Sequence, residues 1–311
     1  MNRIRFACVI AGALLAHGCG SDSKSDTTAP PPGAEPVTTK TGGVKFSTGK
    51  FDIPSGDSFT CFYTDTVTSK QLNVQYATAT QGKGGHHVTV YYTDQKVPVG
   101  HHTCDNIEMV GFHQIAGANN GKEGVIALPD GYATKVPAGK QLVVQSHYIR
   151  TEDGPLTVED GLELQTLEEK DVTAFANSFV MNDGSFSAKP RAMSTSTTEC
   201  VVPRDFDLLL MLGHMHELGA HYQLERLDAA GKPGEMLYQT DWDPLYSSHP
   251  PVTKYDASKP MKLKKGERLR QTCQWKNTGD TEAAFPREMC VMFSYYFPDD
   301  GFIVCDTTVA K

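Results

Sequence analysis

Residues 207–216 read DLLLMLGHMH. An aspartate opens a run of five large apolar side chains, a glycine closes it, and two histidines follow with one residue between them. A short apolar run bounded in this way reads as a buried strand ended by turn chemistry. The same pattern recurs in HHVTVYY (86–92), QLVVQSHYI (141–149), RLRQTCQW (268–275) and MCVMFSYYF (289–297), while NNG (119–121), PDG (129–131), NTGD (277–280) and PDDG (298–301) mark turns. No long stretch has helical periodicity, and no segment repeats at solenoid spacing. The chain is therefore expected to be all-β. Its 311 residues fit two antiparallel β-sandwich domains. The charged run LEEKD (167–171) is the candidate boundary, giving domains 43–170 and 171–311.

On a strand, residues i and i+2 face the same way, so His214 and His216 project together, roughly 7 Å apart at the backbone. Imidazoles so placed can share a metal ion. A second pair, His86 and His87, consists of neighbours that a regular strand turns to opposite faces. They can share an ion only where the strand bends, which Gly84 and Gly85 permit. A third candidate is His147, in QSHY. Gln145, two residues earlier on the same face, could support that site through a hydrogen bond to a ligand. Imidazole suits Zn, Cu, Fe and Ni, and a thioether tips the choice towards Cu(I). Met289, at the start of a late strand, is one candidate thioether among ten methionines. Met215 and Glu217 alternate with the histidines and point away from them, which makes HxHE a poor zinc motif. Outside the first eighteen residues the other histidines, His101, His102, His113, His221 and His249, read as loop or surface residues, with His101 and His102 able to take adventitious metal.

The first residues carry a different message. Arg3 and Arg5 precede the short apolar run FACVIAGALLA, an export signal too short to span a bilayer. The signal ends in LLAHGC, which resembles a bacterial lipoprotein box with Cys19 as the lipidated residue, although Ala16 stands where such boxes usually carry Leu. Residues 1–18 are thus expected to be a signal peptide and 19–42, small, polar and Pro-rich, a tether. The expected location is the bacterial periplasm or cell envelope, with a lipid anchor as the only membrane contact. Removing the signal takes two arginines and no acid, moving the net charge from −8 to −10. No basic patch suggests nucleic acid. Of eight cysteines, Cys8 leaves with the signal and Cys19 is the anchor. Cys61, Cys104, Cys200, Cys273, Cys290 and Cys305 remain. An even number in an exported chain argues for three disulfides, with 15 possible pairings.

Four of these elements occur in a telling order: HHVTVY, QSHY, HMHELG, then EMC leading into SYY. Over roughly residues 55–308 the chain resembles the copper type II, ascorbate-dependent monooxygenases, the family of peptidylglycine alpha-hydroxylating and dopamine beta-monooxygenases. The resemblance implies two jelly-roll-like sandwiches with two mononuclear coppers facing each other across an open cleft. His86, His87 and His147 match the ligands of the electron-transfer copper. His214, His216 and Met289 match those of the oxygen-binding copper and so carry the catalysis. It implies the pairings Cys61–Cys104, Cys200–Cys305 and Cys273–Cys290. It also implies O2, a small-molecule substrate and an external electron donor, ascorbate in the animal members, as partners.

The chain departs from the peptide hydroxylase at three positions. Leu212, Val291 and Phe293 stand where that enzyme holds its substrate carboxylate with Arg, Asn and Tyr. None can pair with a carboxylate, and burying one beside them would be costly. The expected reaction is therefore hydroxylation of an aliphatic or benzylic C–H of a small apolar molecule. Two rivals are a non-catalytic copper-binding or delivery lipoprotein and a zinc hydrolase on a β-sandwich.

Overall fold

A computed structural model describes residues 43–104, 111–119, 125–285 and 287–306. The expected signal peptide, Cys19 and the tether lie outside the described residues. The strands of the first half are β1 (Gly43–Ile53), β2 (Gly56–Val67), β3 (Leu72–Thr80), β4 (Gly85–Thr93), β5 (Gly100–Thr103), β6 (Phe112–Asn119), β7 (Tyr132–Val136), β8 (Gln141–Arg150) and β9 (Leu156–Thr166). A 3-10 turn, Glu169–Asp171, falls inside the LEEKD run. The second half continues with β10 (Ala174–Asn182), β11 (Ala192–Val201), β12 (Phe206–His214), β13 (Gly219–Leu227), β14 (Pro233–Asp241), β15 (Thr253–Lys254), β16 (Met261–Leu263), β17 (Arg268–Asn277), β18 (Val291–Phe297) and β19 (Ile303–Asp306). The chain is all-β, and no described helix is long and apolar enough to cross a membrane.

Three sheets account for these strands. A five-stranded sheet, β5-β2-β8-β4-β6, belongs to the first half, and a four-stranded sheet, β11-β17-β13-β14, to the second. A ten-stranded sheet, β1-β9-β3-β7-β10-β18-β12-β15 with β16 and β19 beside it, backs both. Each facing pair of sheets encloses its own core. Val74, Ala77, Leu162 and Leu164 meet Val88, Val90, Leu142 and Val144 in the first. Phe179, Met211, Tyr296 and Leu208 meet Tyr222, Leu224, Cys273 and Trp275 in the second. Each Val, Leu, Phe or Met among them contributes roughly 1.5–3 kcal/mol when taken out of water.

The sequence reading foresaw antiparallel pairing throughout. Two pairings are instead parallel: β7 with β10, and β10 with β19. The first is consequential. It runs one sheet through residue 171, so the two sandwiches share a backbone hydrogen-bonded seam.

Three disulfides form, Cys61–Cys104, Cys200–Cys305 and Cys273–Cys290, with Cα separations of 5.3, 5.8 and 5.9 Å, and the first ties β2 to the end of its neighbour β5 within one sheet. The second and third each link the four-stranded sheet to the elements opposite it. Cys290 leads directly into β18, so its bond to Cys273 fixes where the segment containing Met289 enters the sandwich. The Cys290 carbonyl is also held by Asp183 N–H and the Gln271 amide, at 3.0 and 3.2 Å.

Candidate metal centre and adjoining cavity

Gly84 precedes β4 and Gly85 opens it. Gly84 has φ +84°, and a Cβ on Gly85 would lie 2.3 Å from Gln81 Cβ. The β4–β8 register slips between Gly85 and His87. This bulge is the bend that two adjacent histidines need in order to face one point. His87 lies directly across from His147 on β8. The result is a triad: His86 Nδ1 is 3.0 Å from His147 Nδ1 and 3.0 Å from His87 Nδ1. One donor atom from each of the three lies within 4.8 Å of the others.

Asp57 on β2 accepts from His147 Nε2–H at 2.7 Å. A carboxylate can only accept here, so Nε2 carries the proton and Nδ1 presents a lone pair to the triad. The His86 Nδ1 atom has one in-plane orbital but faces two nitrogens at equal distance. Proton sharing can serve only one of those contacts, whereas a cation in the middle serves all three. Burial, reinforced by the neighbouring His147 and His216, lowers the His86 pKa to about 3. Burial likewise holds His87 well below the usual histidine range. Neutral imidazole is the metal-binding form.

His214 is the last residue of β12, opposite Val291 on β18. His216 lies beyond the strand end, in the turn to β13, so the pair does not sit on one regular strand as expected. It still converges: the ring centroids are 5.1 Å apart. His216 Nδ1–H donates to the Arg287 carbonyl at 2.9 Å, which leaves Nε2 as the lone-pair nitrogen. The Nε2 atoms of both His214 and His216 are buried without a hydrogen-bond partner. Such orphans are rare and call for an explanation. Burial lowers the pKa of both rings. Met215 is fully buried in the core and Glu217 is exposed, so the two do not share a face as they would on a regular strand.

The resemblance implied two sites across an open cleft. The structure instead packs the two histidine sets against each other. Ring centroids of His147 and His216 are 5.6 Å apart, those of His86 and His216 5.7 Å, and those of His87 and His214 5.9 Å. Fusion of the sandwiches through β7–β10 places these strand ends side by side.

From His87, His214 and Met289 a cavity of about 620 Å³ extends away from the imidazoles. Met289 is half-buried in its wall. Leu212, Val291 and Phe293 line the same space, brought together by the Leu212–Phe293 and His214–Val291 cross-strand pairs.

Three contributors escaped the sequence reading. Asp57 is separated from His147 by 90 residues, and no motif surrounds it. Glu288 stands within EMC, so the signal was present. Its carboxylate accepts from His216 N–H, Leu218 N–H and Trp275 Nε1–H at 3.1, 2.6 and 3.0 Å, and burial raises its pKa to about 7. Trp242 Nε1–H donates to the His216 carbonyl at 2.9 Å. Asp57 holds the ring of His147, and Gln145 accepts from Tyr91 at 3.4 Å and lines the cavity. The histidines read as loop or surface residues are mostly on strands, where His101, His102, His113 and His221 are partly exposed. His101 and His102 are on β5, with His101 stacked on Phe51 at 4.5 Å. His113 is on β6, and His221 is on β13 beside Asp241; His249 alone lies in a loop.

No known family model matches the chain, and no curated protein matches it. Among solved structures the chain is similar to the STIV MCP, at 8% identity over 83% of this chain and 97% of that one, with a TM-score of 0.34. It is also similar to a putative secreted protein from Parabacteroides distasonis, at 7% identity over 86% of each chain and a TM-score of 0.21. A third is an archaeal virus protein with a triple jelly roll fold, at 11% identity over 87% of this chain and 63% of that one, with a TM-score of 0.16. At such TM-scores these likenesses carry no argument about the site.

Proposed function

We propose that this protein is an exported copper-dependent monooxygenase that hydroxylates a C–H bond of a small, mostly apolar molecule. The observation that carries this reading is the donor set around one cavity. A three-nitrogen group is formed by His86, His87 and His147, two orphaned imidazole nitrogens belong to His214 and His216, and the Met289 thioether lines the same cavity as His214. All-imidazole and imidazole–thioether sets suit copper, and the thioether favours Cu(I). In this reading His86, His87 and His147 hold one ion, and His214, His216 and Met289 hold the other. Copper supplies one-electron chemistry towards O2, in which one oxygen atom enters the C–H bond and the other leaves as water with two electrons from an external reductant such as ascorbate.

The chain's own groups prepare this chemistry. Asp57 and the Arg287 carbonyl each fix one ring's proton on the nitrogen that faces away from the site. Glu288 and Trp242 grip the backbone on both sides of His216. Leu212, Val291 and Phe293 offer an apolar wall against which the carbon body of the substrate would rest. Three disulfides support an oxidising, exported setting.

Metal analysis of the disulfide-intact protein, followed by O2 uptake with ascorbate and other one-electron donors, tests the proposal. Two coppers per chain and O2 uptake coupled to a hydroxylated product are expected. Bound copper with no O2 uptake under any donor would return the chain to a metal carrier. Zinc in place of copper, silent in electron paramagnetic resonance, would point to a hydrolase. Met289→Ala is expected to abolish product formation while the fold and the His86–His87–His147 copper remain. Wild-type turnover in that variant would refute the assignment of the oxygen site.

A further inference from the structure

The cavity next to the histidines has two unlike walls. One is the face of the five-stranded sheet, where Thr89, Tyr91, Gln114, Asn119 and Gln145 present hydroxyl and amide groups. The other is the ten-stranded sheet, where Val180, Leu210, Leu212, Val291 and Phe293 are apolar and Tyr295 adds an aromatic face, with Asn182 as a polar exception. Two apolar side chains of the lining, Phe285 and Val304, are 38% and 50% exposed and so open it to solvent. Among the described residues, no Lys, Arg, Asp or Glu lines it.

Each property constrains the occupant. About 620 Å³ falls within the roughly 300–1,000 Å³ that small-molecule sites span. Burying an ionised group with no counter-charge is strongly unfavourable, so a carboxylate or an ammonium is rejected. A pure hydrocarbon would strip water from the amide wall, whose groups each have room for more than one hydrogen bond, and return none. We infer that the substrate is an uncharged molecule with an aromatic or branched aliphatic body against Leu212, Val291 and Phe293 and an amide or hydroxyl edge against the Gln114–Asn119–Gln145 wall.

This rests on the proposed function only in calling the occupant a substrate. The cavity's selectivity is a property of the metal-free chain, and it is measured there so that no metal ion can attract an anion. The test is a ligand-observed NMR titration of the full, disulfide-intact, metal-free protein with 4-phenylbutanamide, 4-phenylbutyrate and 4-phenylbutylamine at pH 7.5. These probes share one body and differ in the charge at its end. The amide is expected to bind at least tenfold tighter than either ion. Phe293→Trp, which fills the apolar side, is expected to weaken the amide at least fivefold, with folding checked by near-ultraviolet circular dichroism. If that variant does not fold, Gln114→Leu on the opposite wall is expected to weaken the amide at least threefold. Equal or tighter binding of an ion, no amide binding at 10 mM, or unchanged amide affinity in the folded variant would each overturn the inference. Failure here with copper-dependent O2 uptake intact would leave the monooxygenase reading standing; success here without such uptake would remove that reading and keep the selectivity.

Discussion

A histidine becomes a good ligand when its other nitrogen is already spoken for. Asp57 does this for His147, and the Arg287 carbonyl does it for His216. The two devices differ in consequence. A backbone carbonyl cannot be mutated away, but Asp57→Ala leaves His147 free to choose its tautomer and to rotate. The variant is expected to bind copper at the His86–His87–His147 group about 10–100-fold more weakly, the usual cost of losing such a support. A competition titration against a copper chelator checks this. Because His147 is fully buried, the loss of its acceptor should also destabilise the metal-free protein, seen as a lower thermal midpoint, by up to the roughly 1–3 kcal/mol that an unpaired buried donor costs. Asp57 could not be nominated from the sequence alone, and Glu288 escaped the sequence reading although it stands next to Met289 in EMC. Their roles depend on contacts across 90 and 72 residues, whereas the HxH and HH pairs announce themselves by adjacency.

Pairing of strands turns separated motifs into one site. β12 and β18 lie antiparallel, so Leu212 meets Phe293 and His214 meets Val291. Residues flagged about 80 positions apart thereby become neighbours. Strand identity was legible from the apolar runs and turn clusters, but register was not, because both faces of β12 are buried and no alternation marks one of them. Gly213, between Leu212 and His214, shows how little room the arrangement leaves. A Cβ there would sit 2.4 Å from the ring of Tyr222, itself fully buried. Gly213→Ala is expected to destabilise the protein by about 1–3 kcal/mol, the cost of overpacking, measured as a lower urea midpoint. It should also disturb His214 one residue away. A variant with unchanged midpoint would mean that Tyr222 can move aside. The Cys273–Cys290 bond works at the same level. Its 17-residue separation corresponds to about 3 kcal/mol in the chain-entropy picture, and it anchors the segment that carries Met289.

At the scale of the molecule, fusion of the two sandwiches through β7 and β10 crowds five imidazoles into one buried region, and this has a cost in acid. His86 titrates at about 3 in the folded chain against an ordinary value of 6.5, and His87, His214 and His216 are also lowered, chiefly by burial. Between these limits the unfolded chain binds protons that the native chain refuses, so stability is full above about pH 6.5 and falls as pH drops. Glu288 pulls the other way. Its pKa is raised from 4.5 to about 7, so its burial is penalised as pH rises through that window. Four lowered histidines outweigh one raised carboxyl, and a single net proton already tilts stability by about 1.4 kcal/mol per pH unit. Metal-free protein is therefore expected to unfold at lower urea concentration at pH 5 than at pH 7.5. Copper should protect against this at neutral pH and lose its hold on acidification, since protons and metal compete for the same nitrogens. Denaturation curves at both pH values, with and without copper, check the pair of effects. Equal midpoints for the metal-free protein would mean that the native imidazoles accept protons in place and that the cluster opens to water.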